Sequence, residues 1–233
     1  MRDAWWLMGG LLTSGCTAKS TVEAPPPPHR TPLPLRVHLF ASDNPDVDAR
    51  GLRAGSTLST QLEGIDEIFA PARVAWQVES VVVEPVGALG PWQEAAAGRQ
   101  HHTAALKALV RPKQRLAPQG FDLYVVGNLT TLKVGGAFLC DAERGGAFVS
   151  ARTGRGKLPP VRKWAHELGH ALGLRHTLCR PEAAERLMMS GHCTEAIPGR
   201  KGLSDKEVAQ IRTQATRRTS VSCRKGENTD QAD

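Results

Sequence analysis

Aromatic side chains and long apolar runs are both scarce in this sequence. Aromatic residues make up 5% of the 233 residues and hydrophobic residues of all kinds 40%, so a folded core must be mostly aliphatic. A chain of this length is enough for one domain with its own core and terminal extensions. The apolar run near the N-terminus, Ala4 to Leu12, is far shorter than the roughly 20 residues that a membrane-spanning helix needs.

Closely spaced cysteine pairs and clusters of basic residues are also missing. No Cys-x-x-Cys pair occurs among the five cysteines, which argues against a second, cysteine-based metal site. The formal net charge is +7, but the basic residues are scattered and are not interleaved with aromatic residues. This distribution disfavours nucleic acid as a partner. A positively charged chain suits anionic lipid surfaces or acidic substrates, although only weakly.

The first residues of the chain have the order of an export signal. Arg2 precedes the apolar run, and the small residues Thr13, Ser14 and Gly15 precede Cys16. This order resembles a bacterial lipoprotein signal, in which the cysteine becomes the lipidated first residue of the mature chain, although leucine is usual where Thr13 stands. An ordinary cleaved signal and a buried strand are the alternatives. We expect lipidation at Cys16 and an exported protein anchored in the bacterial cell envelope, at the outer membrane if the organism has one.

The other four cysteines remain for disulfide bonds if Cys16 carries the lipid. An even number of cysteines in an exported chain suggests two disulfides, and four cysteines allow three pairings. Cys179 and Cys193 flank a short segment and are therefore the first expected pair. That choice leaves Cys140 with Cys223.

Composition divides the chain into four parts. Residues 1–15 are the expected signal peptide, and residues 16–34 are the expected lipid-anchor cysteine and proline-rich tether. The run PPPPHRTPLP, at 25–34, predicts a stiff, extended tether that joins neither a helix nor a central strand. Residues 35–216 form the expected folded domain, and residues 217–233 a polar tail that is expected to fray unless Cys223 ties it down.

Hydrophobic spacing predicts a mixture of strands and helices within the folded domain. Strands are predicted from 35 to 40, 74 to 83 and 121 to 126, with a glycine-flanked strand pair from 134 to 150. Helices are predicted from 57 to 69, 92 to 110 and 161 to 173. Ser204 caps a last helix, and Glu207 completes its capping box.

The segment HELGHALGLRH, which runs from His166 to His176, has the spacing of a metal site. His166 and His170 are four residues apart and share one face of a helix, so both imidazoles can bind one Zn²⁺ ion. Gly173 can adopt the left-handed conformation that ends the helix, which lets His176 approach as a third ligand. Three protein ligands leave one tetrahedral position open for water, as in catalytic rather than structural zinc sites.

Glu167 follows the first of these histidines and is the candidate general base. Its carboxylate can take a proton from water and pass it to a leaving amine. The structural alternative is a set of core histidines whose hydrogen bonds are satisfied on an amphipathic helix. That alternative does not explain three histidines with a glycine hinge at fixed offsets.

HELGHALGLRH resembles the signature of the metzincin zinc peptidases, in which a methionine turn lies beneath the metal. Leu187 and Met188 stand downstream like the Leu-Met pair of many members, so the resemblance implies that Met188, rather than Met189, is the turn methionine. Without the upstream motif, two adjacent methionines would indicate core packing. The resemblance also implies an α+β fold, in which a twisted mixed β-sheet is backed by helices. One catalytic zinc ion is then expected in a cleft between an N-terminal and a C-terminal subdomain.

The metzincin resemblance extends to the substrate side and leaves the subfamily unassigned. The stretch IDEIFAPARVAWQVESV is similar to the start of matrixin-like catalytic domains, but Thr177 fits no subfamily marker. Astacins and serralysins carry a tyrosine two residues after the turn methionine, where this chain has Ser190 or Gly191, so oxyanion stabilisation would depend on zinc and backbone donors. An edge strand above the cleft is expected to bind extended substrate by strand addition, and Gly135 to Ser150 is the candidate because it precedes the metal helix.

The sequence therefore predicts a zinc-dependent endopeptidase that is a monomer and acts on protein or peptide substrates. Zinc polarises the scissile carbonyl, and Glu167 activates the attacking water. One alternative is a non-catalytic zinc-binding surface lipoprotein that serves as a binding module, but a purely structural site has no use for the carboxylate. The other is a zinc hydrolase of non-peptide substrates, which the motif does not exclude because it describes water activation and not the substrate pocket.

Overall fold

The computed structural model describes residues 29–54, 56–110, 120–140, 145–152, 161–176, 202–217 and 231–232. The strands are β1 Thr31–Ala41, β2 Val74–Pro85, β3 Phe121–Val126, β4 Gly136–Cys140, β5 Gly145–Ser150 and β6 Gln231–Ala232. The α-helices are α1 Ser56–Phe69, α2 Gly90–Ala96, α3 His102–Leu109, α4 Val161–Ala171 and α5 Asp205–Arg217. Short 3-10 helices lie at Arg50–Ala54, Ala70–Ala72 and Leu129–Leu132.

Within the described residues, six strands form one mixed sheet in the order β2-β1-β3-β5-β4-β6. β1 pairs with β2 and β3, and β3 pairs with β5, all in parallel. β4 runs antiparallel to β5 on one side and to β6 on the other. β3 is buried along its whole length because both faces of the sheet are covered, which explains its nearly continuous apolar sequence. The predicted α+β class, a mixed sheet backed by helices, is confirmed.

The two faces of the sheet support two apolar layers. Every second residue of β1 from Leu33 to Leu39 lies in the layer shared with α1, α4 and α5. The alternate residues of β1 point to the other face of the sheet, where Phe40 packs in a second layer formed with α2 and α3. The helix that carries the metal motif therefore packs against one defined face of the sheet.

β1 begins earlier than the sequence predicts, at Thr31. Pro32 and Pro34, assigned above to the tether, therefore lie in the strand, and the prediction that they join no central strand is wrong. Both pair with β2, whereas the pairing of β1 with β3 begins only at Leu35. Proline is accepted there because its missing N–H is needed on one side of the strand only.

The single helix predicted from 92 to 110 is two helices, α2 and α3. Gly98 has a φ of +74°, a left-handed conformation that ends α2. The His101 side chain then accepts a hydrogen bond from the backbone N–H of Thr103 and caps α3. Glycine and the new cap together break a segment whose composition is otherwise helical.

The C-terminal elements agree with the sequence in one respect and differ in another. Ser204 and Glu207 form the predicted capping box, with the Glu207 carboxylate accepting from the Ser204 N–H at 2.8 Å. In the tail, however, Gln231 and Ala232 pair with β4 as β6 and do not fray. Cys223, which was expected to hold the tail if it does not fray, lies outside the described residues. The helices described include none that is long and apolar enough to cross a bilayer.

Candidate metal centre

α4 is held on the sheet by its apolar face and by one long-range hydrogen bond. Trp164 and Leu168 are fully buried in the layer that the helix shares with the sheet. The Trp164 indole Nε1–H donates to the backbone carbonyl of Ser150, the last residue of β5, at 3.0 Å. These contacts fix the rotation of the helix, and with it the direction of the motif residues His166, Glu167 and His170, all of which are buried.

Gly173 ends α4 and turns the chain back, as the sequence predicts. Its φ is +81°, and its N–H donates to the carbonyl of His170 at 2.8 Å. The N–H of Leu174 donates to the carbonyl of Gly169 at 3.0 Å, which completes a Schellman motif. The Gln210 side chain of α5 donates to the Gly173 carbonyl at 2.9 Å and ties this turn to the last helix.

The turn brings His176 to the two histidines of the helix. Its Nε2 atom lies 3.1 Å from Nε2 of His166 and 3.1 Å from Nε2 of His170, and the last two atoms are 3.2 Å apart. Nitrogen ligands of one tetrahedral zinc ion, at about 2.0–2.1 Å from it, lie about 3.3–3.4 Å from each other. The triangle of nitrogen atoms therefore has the size that a shared zinc ion requires.

The protonation states of three imidazoles also favour a shared cation. Each Nε2 atom either carries a proton and donates or lacks one and accepts. Among three mutually close atoms, at least two must have the same role, so hydrogen bonds cannot satisfy all three contacts. A cation that accepts three lone pairs resolves this conflict, and imidazole nitrogen is a preferred zinc ligand. The triad fits a single zinc ion.

His170 is oriented by a backbone partner outside the triad. Its Nδ1 atom lies 2.9 Å from the carbonyl oxygen of Leu174, which can only accept, so Nδ1 carries the proton. In the neutral ring the lone pair is then on Nε2, which faces the other histidines. A hydrogen bond of this kind sets the tautomer and ring direction of a metal-binding histidine.

Two residues of β4 border the motif, and the sequence placed them only within the candidate substrate strand, Gly135 to Ser150. The ring of Phe138 lies alongside that of His170, with ring centres 6.3 Å apart. Gly136 faces the Glu167 side chain, and a β-carbon built on Gly136 would lie 2.8 Å from both Cγ and Cδ of that residue. The position of the strand just before the metal helix was the sequence signal, and it does not predict which side chains of that helix each residue would face.

The remaining predicted site residues are not brought together in the parts of the chain described. Cys140 is the last residue of β4, where its backbone pairs with Gly145. Cys179, Cys193 and Cys223 lie outside the described residues, so the disulfide pairing stays a prediction. The same holds for the turn methionine Met188 and for the lipidation site Cys16.

A second polar cluster lies on the opposite face of the sheet, and the sequence did not reveal it. His38 contacts Glu84 through Nδ1 at 2.6 Å and Asp122 through Nε2 at 3.0 Å. Arg36 forms a two-bond ion pair with the Asp122 carboxylate, and the Tyr124 ring stacks on His38. Burial lowers the pKa of His38, but hydrogen bonds and charge from Asp122 and Glu84 outweigh it, so the pKa is raised above its ordinary value.

No protein-family model and no curated protein sequence matches the chain. Among solved structures, archaemetzincin from Methanopyrus kandleri is similar over 81% of this chain and 98% of its own, with 17% identity and a TM-score of 0.49. A chain in a chaperone–substrate complex is similar over 81% of this chain and 38% of its own, with 15% identity and a TM-score of 0.47. Metalloproteinase-II from Bacteroides fragilis is similar over 81% of this chain and 55% of its own, with 14% identity and a TM-score of 0.45. All three TM-scores are below 0.5, and the zinc site is identified from the chain's own histidines.

Proposed function

We propose that the chain is a zinc-dependent endopeptidase in which Glu167 is the general base. One observation carries the proposal: three histidine Nε2 atoms converge within 3.1–3.2 Å of each other. Glu167, which follows His166 in the chain, is a buried carboxylate on the same helix. The described residues supply three ligands, and a catalytic zinc ion keeps its fourth position for water or substrate.

The chemistry divides between the metal and Glu167. A zinc ion held by the triad would supply Lewis acidity, which lowers the pKa of water and polarises a substrate carbonyl. Glu167 takes the proton from the attacking water and passes it to the amine that leaves. Burial of Glu167, which is 2% exposed, keeps bulk water from competing for its carboxylate.

β4 is the strand that we propose for substrate binding. It starts at Gly136 beside Glu167, and its Phe138 lies along the ring of His170. An extended peptide would pair with the outer edge of β4 through main-chain hydrogen bonds. β6 lies along this edge opposite Ala137 and Phe138, so a substrate bound there would replace β6.

The decisive experiment compares peptide cleavage with and without a chelator and in one carboxylate variant. Wild-type protein should cleave members of a peptide library, lose this activity with chelator and regain it with zinc. Glu167→Gln should keep about one zinc ion per chain and lower kcat by about two to four orders of magnitude. Glu67→Gln, on an exposed position of α1, is the matched control and should change neither quantity.

Three outcomes would count against the proposal. Unchanged turnover in Glu167→Gln would eliminate this carboxylate as the base. A wild type that cleaves no peptide under any metal condition would favour the non-catalytic zinc-binding lipoprotein. Hydrolysis restricted to non-peptide esters or amides would place the same site in a different class of zinc hydrolase.

We also propose that the protein is exported and anchored in the bacterial cell envelope through Cys16. The support is the order of residues in the first part of the sequence, with an apolar run, then small residues, then the cysteine. In this arrangement the proline-rich stretch before Thr31 separates the folded domain from the membrane surface.

A further inference from the structure

Gly136 is a position where the need for glycine comes from a neighbouring side chain. A β-carbon there would lie 2.8 Å from Cγ and Cδ of Glu167 and closer still to its Oε1 atom, which is nearer than real β-carbons approach. The φ angle of Gly136 is not positive, so its backbone conformation would accept other residues. Space for the Glu167 side chain, rather than backbone freedom, therefore requires the glycine.

The two backbones on either side of this contact have little freedom to move apart. The helix that carries Glu167 is fixed on the sheet by the buried side chains of Trp164 and Leu168. β4 in turn is held by its antiparallel pairing with β5, in which Gly136 lies opposite Val149. An added methyl group at Gly136 would thus be relieved mainly by rotation of the Glu167 side chain, because both backbones are held by their own contacts.

We propose that Gly136 is a positioning residue for the general base, and this inference rests on the proposed peptidase function. The backbone of β4 at Gly136 forms the wall against which the Glu167 side chain rests. General-base catalysis needs the carboxylate within hydrogen-bond reach of the water it deprotonates. A misplacement of about 1 Å can cost about 100-fold in rate, so the absence of a side chain at Gly136 is a condition for catalysis.

The first experiment measures the contact without reference to activity. Gly136→Ala should lower the unfolding midpoint of the full chain by roughly 3–10 °C, the size expected for one overpacked methyl group. In a Glu167→Ala background the same change should cost much less, because the colliding atoms are gone. Equal destabilisation in both backgrounds would overturn the proposal, since it would show that the two residues do not interact.

The second experiment measures the catalytic consequence. Gly136→Ala should keep its zinc content and KM while kcat falls by roughly 10- to 100-fold. In a Glu167→Asp background, where the side chain is one methylene shorter, the same substitution should lower kcat far less. Unchanged kcat in Gly136→Ala would overturn the positioning role, as would an equal loss in both backgrounds.

A matched glycine on the neighbouring strand separates positioning from general loss of stability. A β-carbon on Gly146 of β5 would lie 2.5 Å from Cε2 of Tyr124, so Gly146→Ala is also overpacked, but against a residue away from the metal centre. Gly146→Ala should lose stability and keep kcat. If its kcat falls as much as that of Gly136→Ala, the loss of activity in both variants comes from destabilisation, and the proposal is overturned. The unfolding midpoints can show that Gly136 and Glu167 interact even if the wild type cleaves no peptide. In that case the proposed function fails, and the catalytic role of Gly136 fails with it.

Discussion

At the scale of single residues, the three histidines are positioned by different means. His166 and His170 are directed by the rotation of α4, which the buried Trp164 and its bond to Ser150 fix. The ring of His170 is fixed further by the carbonyl of Leu174. His176 depends on the Schellman turn at Gly173 rather than on the helix. Loss of any one ligand should therefore weaken metal binding without unfolding the helix that carries the other residues.

The prediction for the ligands is a loss of zinc. His170→Ala should reduce the zinc content from about one ion per chain to well below it and abolish hydrolysis, because two imidazoles cannot hold a catalytic zinc ion. His166→Ala and His176→Ala should behave alike. Metal analysis after dialysis measures the effect, and His29→Ala, an exposed position before β1, is the control. Full zinc content in all three variants would contradict the ligand assignment.

His38 predicts a pH dependence of stability that does not involve the metal centre. Asp122, Glu84 and Arg36 surround it, and its pKa in the folded protein is raised above the ordinary value of 6.5. Because the folded protein binds the His38 proton more tightly than the unfolded chain does, protonated His38 stabilises the fold. This contribution is complete below about pH 6.5 and is lost as the pH rises through the pKa of the folded state. The unfolding free energy should fall over that window by at most about 1.4 kcal/mol per pH unit.

Urea unfolding of the zinc-free protein at a series of pH values measures this dependence. His38→Gln removes the titrating group, and the difference between wild type and variant isolates it from the other histidines. Glu84→Gln keeps the histidine but removes one partner, so it should shrink the pH dependence rather than abolish it. A wild type whose stability above pH 6.5 follows the same curve as both variants would show that His38 does not titrate in this way.

At the scale of elements, patterns within one segment predicted structure better than contacts between segments did. The motif on α4, the glycine that ends it and the capping box of α5 depend on residues a few positions apart, and all three are observed. The contact of Gly136 with Glu167 joins residues far apart in the chain, and so does the pair His38–Asp122. No local spacing encodes such contacts, because they exist only once β1, β3, β4 and α4 have assembled.

The positions of Pro32 and Pro34 in β1 show the same limit of prediction from local sequence. The run before Leu35 is typical of a tether, and local composition does not show that one strand edge needs no N–H donors there. Only the register, in which β3 meets β1 from Leu35 onward, makes Pro32 and Pro34 acceptable in a strand. The apolar pattern of β1 predicted a strand, but the residue at which β1 starts depends on where β2 and β3 pair with it.

The pairing of β6 with β4 predicts that substrate and β6 compete for the outer edge of β4. Replacing both Gln231 and Ala232 by proline removes their N–H donors and should release β6 from β4. If substrate pairs with the same edge, KM should then fall several-fold, because binding no longer has to displace a strand. Gln231→Ala, which keeps the backbone donors, is the control. Successive N–H groups of a strand point to opposite edges, so only one of the Ala137 and Phe138 amides faces β6. Faster hydrogen exchange at that amide reports the release, and release with an unchanged KM would place the substrate elsewhere.

At the scale of the whole molecule, the sheet separates the histidine triad from a buried polar network. One face carries α4 and the histidine triad, and the other carries the buried network around His38 together with α2 and α3. The network joins the parallel strands β1, β2 and β3 through the contacts of His38 with Glu84 and Asp122. The metal centre and the His38 network can therefore be mutated separately.

Attachment to the membrane is the last prediction and concerns the chain as a unit. If Cys16 is lipidated, the mature protein should partition into the detergent phase, because acyl chains contribute about 0.8 kcal/mol for each buried CH₂ group. Cys16→Ala should release the protein or block its processing. Thr13→Leu, which restores the residue usual at that position of a lipoprotein signal, should keep the protein anchored and is the matched control. Phase partitioning and mass analysis of the mature N-terminus decide the matter, since a soluble, unmodified wild type cleaved at another site would refute the anchor while leaving the zinc centre untouched.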